Sequence, residues 1–226
     1  MILTRFFFIF LFTTGAICLS AKETNEIAEQ QLRSISEKIA FPDSAFNMLA
    51  VINVNTLSDS LLAEYYRLKG SAYFYKGLAD SSIVYFTSAF AQTDSGNCDH
   101  QFSKVTNGLA VVLQNSELYE EAIDYYLMAL ACADQREDYS LKLKVLSNLS
   151  ILCRETGNIH QGRAYLDQAF ELSEQLKDQP GLAFLYNSKG QFFVAEKQYD
   201  SAKVAFNQSL IYRGDDDLKG RATSLT

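Results

Sequence analysis

Three asparagines, Asn107, Asn148 and Asn187, recur at intervals of roughly forty residues. One asparagine amide both donates and accepts hydrogen bonds, so a row of them suits the backbone of an extended peptide without demanding a particular sequence. Gln191 offers the same chemistry beside Asn187. Basic residues share these stretches: Lys104 and Lys144 stand forty apart, with Arg67 and Arg154 at related positions. On a chain of formal charge −7, a basic stripe would be a local exception, able to receive a carboxylate or an acidic peptide. The same residues equally suit a solvated helix face, with the cations in weak surface ion pairs.

Other chemistry is thinly provided. The 2 histidines, His100 and His160, fall in or near loops and far apart in the chain. No His-x3-His, Gly-x-Ser-x-Gly or Gly-x4-Gly-Lys-Ser/Thr motif occurs. Glu120 and Glu121 open a helix, where they favour the helix dipole, and the Asp215 to Asp217 run lacks the alternating spacing of a calcium loop. There are 4 cysteines and no Cys-x-x-Cys, which excludes a zinc ribbon. Cys153 reads as a small hydrophobe on an apolar helix face. Cys98 and Cys132 could pair in an oxidising compartment, which the sequence does not decide. The expectation is a protein with no enzymatic activity, no metal and no cofactor. The acidic balance argues against a nucleic-acid partner and against anionic lipid.

The elements that would carry these side chains follow from composition and period. Apolar residues make up 48% of 226, with 11 glycines, 2 prolines, 16 Phe, 13 Tyr and no Trp. So few turn formers suit long helices better than closely spaced strands. Small residues stand forty apart at Gly70, Ala110, Ser150 and Gly190. Twelve further on come Ser82, Ala122, Gly162 and Ala202; four beyond those, Phe86, Tyr126, Leu166 and Phe206; then Ala89, Ala129, Ala169 and Ser209. Spacings of three, four and seven keep residues on one helical face. A small residue on each of two helices lets the backbones approach, and the large residue fills the groove beside them. Each unit is an antiparallel helix pair that buries its faces only by stacking on its neighbours.

These columns resemble the tetratricopeptide repeat family, whose pattern runs aromatic-x2-Leu-Gly-x2-Tyr, then Ala-x3-Phe. Tyr66, Gly70, Tyr73, Ser82 and Phe86 fit one copy, and Tyr186, Gly190, Phe193, Ala202 and Phe206 fit another. Leu109, Ala110, Leu113, Ala122 and Tyr126 carry a third, with Ser150, Cys153 and Gly162 standing in for it in the last. The forty-residue period departs from the usual 34 and looks like the long-repeat variety of kinesin light chains and bacterial sensory and regulatory proteins. The resemblance implies an all-α, right-handed α-α superhelix with first helices lining a concave groove that holds peptides or partner helices. Long-repeat relatives use asparagines near the small residue of the first helix to hold peptide backbone. By that phase Arg67, Lys104, Asn107, Lys144, Asn148, Asn187 and Gln191 would face the groove.

The expected organisation is a signal peptide over residues 1–21, where Arg5 precedes the apolar run Phe6 to Phe12, and a degenerate capping pair over 22–57. Repeats follow over 58–97, 98–137, 138–177 and 178–216, and 217–226 begin an incomplete fifth. The signal implies an exported protein, periplasmic or extracellular, that reaches a membrane only through an uncleaved signal or a missing C-terminal segment. The functional expectation is an exported scaffold binding a protein or peptide. The alternative is an extracytoplasmic sensor or input region of a longer signalling or transcription-regulating protein.

Overall fold

A computed structural model describes residues 21–94 and 97–213, and these contain no strand. The helices come in antiparallel pairs: α1 (Ala21–Glu37) with α2 (Pro42–Leu49), α3 (Asp59–Tyr75) with α4 (Ala79–Ala91), and α5 (His100–Asn115) with α6 (Tyr119–Gln135). Then come α7 (Tyr139–Glu155) with α8 (Ile159–Leu176), and α9 (Gln179–Ala195) with α10 (Tyr199–Arg213). A short 3-10 turn, Val54–Thr56, follows α2.

Local chemistry sets the helix ends. Aspartates cap three first helices: Asp99 accepts from the Phe102 amide at 2.7 Å, Asp138 from Leu141 at 3.0 Å and Asp178 from Gly181 at 3.1 Å. Each bond satisfies one of the amides that a helix start leaves without a partner. The Asp99 cap starts α5 at His100. Within each of the four pairs from α3 onward the chain reverses through a left-handed residue, at Gly77, Glu117, Gly157 and Lys197, a second forty-residue column. The following amide reaches back to close the helix: Leu78 to the Tyr73 carbonyl at 3.0 Å, Leu118 to Leu113 at 3.0 Å, Gln198 to Phe193 at 2.8 Å.

The small-residue columns do the work that their spacing predicts. The Ser82 hydroxyl donates to the Gly70 carbonyl at 2.8 Å, so α3 and α4 nearly touch backbone to backbone. A Cβ on Gly70 would stand 2.7 Å from the Phe86 ring, and one on Gly108 would strike the other side of that ring. Phe86 therefore fills the space between its own first helix and the next. Ala122 is fully buried, as are Ala89, Ala129 and Ala169. One apolar cluster joins Phe86 to Tyr126 and Leu149, and another joins Leu146 to Leu166 and Phe192. At the N-terminal end Leu32, Ile35 and Leu49 bury against Tyr65, Leu68 and Ala72.

Each first helix touches the next first helix, while consecutive second helices make no comparable contact. The array therefore curves with α1, α3, α5, α7 and α9 on its inner side, in a TPR-like superhelix. Cys98 and Cys132 form a disulfide between the loop before α5 and the last turn of α6, and Cys153 is free and buried. Residues 1–20, on which the signal reading rests, and 214–226, which hold the expected start of a fifth repeat, lie outside the described residues. Among the described residues no helix is long and apolar enough to cross a membrane.

Candidate functional site

The inner face changes character along its length. At its N-terminal end a cleft of about 800 Å³ opens between α1, α3 and α5, lined by Glu26, Glu29, Arg33, Glu64, Gln101 and Lys104 among others. Its centre is Glu64, which accepts from Arg67 Nε and Nη2, both at 2.7 Å, and from Gln101 Nε2 at 2.9 Å. Burial works against the Glu64 carboxylate, but the hydrogen bonds and charge of Arg67, the Gln101 amide and the charge of Lys104 outweigh it. They hold its pKa below the ordinary value. Two of the four basic residues singled out by spacing are thus turned toward one carboxylate. Sequence reasoning missed Glu64, although its place three residues before Arg67 on one helix face is a legible ion-pair spacing.

The middle of the face is polar and largely neutral. Asn148 Nδ2 donates to Asn107 Oδ1 at 3.4 Å, so the structure brings these two asparagines together across the α5–α7 seam. The bond is long, and each amide keeps further donor or acceptor capacity. Beside them a cavity of about 370 Å³ is lined by Val111, Gln114, Tyr126, Asn148, Ile151 and Glu155 among others. Here the fully buried Tyr126 donates its hydroxyl to Gln114 Oε1 at 2.8 Å, and Gln114 Nε2 donates to Glu155 Oε2 at 2.7 Å. Burial, with the nearby charge of Glu155, pushes the Tyr126 phenol well above its ordinary pKa. The signal for this network was present: Gln114 and Glu155 stand 41 apart, as do Asn107 and Asn148.

The remaining predicted residues are dispersed. Lys144 is exposed on α7. Asn187 and Gln191 are half-buried on α9, outside the α5–α7 cavity. His100 Nδ1 lies 3.5 Å from the Asp138 carboxylate at the mouth of the N-terminal cleft. Among the described residues no group of three or more His, Cys, Asp or Glu is placed to hold a metal ion.

Helix pairs stacked into a curved array, with a polar inner face and no catalytic cluster among the described residues, define a helical-repeat interaction solenoid. The comparisons narrow this to a TPR-like α-solenoid: residues 142–210 match the tetratricopeptide repeat family model. No curated protein matches the sequence. Among solved structures, Bacillus thuringiensis PlcR in complex with the peptide PapR7 and DNA is similar, with TM-score 0.68 at 16% identity, over 87% of this chain and 72% of that one. The Rap conjugation gene regulator of plasmid pLS20, in complex with the Phr* peptide, superposes with TM-score 0.65 at 18% identity. The match covers 88% of this chain and 53% of that one. TPR-like repeats assigned to a Podosopora anserina kinesin light chain give TM-score 0.57 at 13% identity, over 87% and 96%. At these identities the likeness shows the fold.

Two expectations are corrected by this comparison. The exclusion of nucleic acid is overturned by PlcR, a similar solenoid solved with both peptide and DNA. Net charge sums over a whole surface and does not forbid a local contact with DNA. The expectation of export, periplasmic or extracellular, is corrected too: the similar solenoids include one solved in complex with DNA and one that is a conjugation gene regulator.

Proposed function

We propose that this chain is a peptide-responsive input module of a regulatory protein, binding an extended peptide along α3, α5, α7 and α9. The observation that carries the reading is the amide row on the inner face. Asn107 and Asn148 meet across the α5–α7 seam beside an open cavity, and their remaining donors and acceptors match a peptide backbone. The bound peptides of PlcR and Rap support a peptide as ligand class for such a solenoid. This favours the input-module reading over a free-standing scaffold, since both neighbours are solved with a bound peptide.

The test is affinity selection from a synthetic pool of random peptides about ten residues long, a length that spans several inner helices when extended. The full chain retains a subset of the pool, and Asn107→Ala with Asn148→Ala loses it without a change in melting temperature. Retention that is indifferent to the double substitution removes the amide row from the site.

A further inference from the structure

The inner face repeats its geometry from seam to seam, but its chemistry is not repeated. At the α5–α7 seam Gln114 is satisfied at both ends, by Tyr126 of its own pair and by Glu155 of the next first helix. Forty residues on, the equivalent positions are Arg154, Leu166 and Ala195. Leucine and alanine offer no side-chain acceptor, so Arg154 takes the place of Gln114 with both partners gone. The structure bears this out: Arg154 Nε is buried and has no hydrogen-bond partner. Its nearest carboxylate is that of the adjacent Glu155, whose Oε1 lies 3.8 Å from Nη2, an ion-pair distance too long for a hydrogen bond, while Gln114 holds the other oxygen, Oε2. Across the same seam, Gln191 occupies the position that Ile151 holds on the cavity wall one repeat earlier. At the opposite end of the groove Arg67 is held by Glu64 through Nε and Nη2.

Taking the peptide reading above as its basis, we infer that Arg154 is the anion anchor of the groove, taking a carboxylate of the bound peptide at the α7–α9 seam with Gln191 beside it. A guanidinium presents paired N–H donors in a fork that matches a carboxylate, and a partly buried guanidinium without such a partner is costly to maintain. The anchor gives the groove a sense of direction. Ligand charge is specified at the α7–α9 end, because Glu64 has already neutralised Arg67 and draws on Lys104 at the other.

The carboxylate has two sources, an acidic side chain or the peptide's own C-terminus, and the pool distinguishes them when made with free and with amidated C-termini. Selection on the full chain is read by mass spectrometry for the wild type, Arg154→Gln and the Asn107→Ala, Asn148→Ala pair, with melting temperature as the folding control. The expected result is that wild-type binders are enriched in Asp or Glu at one position, or weaken about tenfold on amidation. Arg154→Gln keeps its melting temperature and still retains peptides, but loses that preference, and Arg154→Lys restores it only in part. Identical selections by wild type and Arg154→Gln overturn the anchor while leaving the groove in place. Retention of no peptide by any form overturns both.

Discussion

Glu117 turns through the same left-handed backbone as Gly77, forty residues before it, with φ of 61° against 75°. A side chain in that region suffers a clash between Cβ and the following carbonyl that glycine avoids. Of the four turns within the pairs from α3 onward, two are therefore glycine and two, at Glu117 and Lys197, carry the strain.

Glu117→Gly is expected to raise stability by about 0.5–1 kcal/mol, the relief of the clash less the greater unfolded freedom of glycine. Gly77→Ala is expected to lower it by about 1 kcal/mol. No atom lies within 4 Å of where its Cβ would stand, so the effect is backbone strain alone. Thermal melts of both variants, read by circular dichroism, check the pair of opposite signs.

Ala122 is fully buried at the close approach of α5 and α6. Ala122→Leu forces extra volume into that contact and is expected to cost about 1–3 kcal/mol. A melt indistinguishable from wild type would show that position 122 does not stand at the contact.

Arg67, Gln101 and Lys104 hold the Glu64 carboxyl in the folded chain below the ordinary carboxylate pKa, against the opposing effect of burial. A group with a depressed folded pKa stabilises fully above its unfolded value and loses that stabilisation as pH falls through the folded one. Glu64→Gln is thus expected to be less stable than wild type at neutral pH, with the gap narrowing below about pH 4.5. Urea denaturation of both proteins at neutral pH and near pH 3 measures the gap directly. A gap that is constant with pH would mean that the pairing with Arg67 contributes nothing.

The columns at Gly70, Ser82 and Phe86 were legible because close helix packing tolerates few residue types, so the constraint shows in composition. The left-handed turn column was hidden where Glu117 and Lys197 replace glycine, since a backbone strain of about 1 kcal/mol is small enough for the surrounding fold to absorb. The groove was legible as a face but not as a pattern of partners. Asn107 and Asn148 could be read from their spacing, yet Glu64, Gln101 and Glu155, which decide which groups stay free, sit on neighbouring helices and answer to geometry across the seam. Arg67 illustrates the difference: its type and phase suit a ligand contact, and a carboxylate one turn away on its own helix occupies it.

The Cys98–Cys132 bridge has a mechanical consequence. A pull on the two ends of the array passes through the sulfurs and skips the chain between them, a separation of 34 residues that holds α5 and most of α6. Under tension α1 to α4 and α7 to α10 would extend while the helix bearing Asn107 and Gln114 stays slack. Reduction would add about 110 Å to the chain's reach, the length of that segment drawn straight.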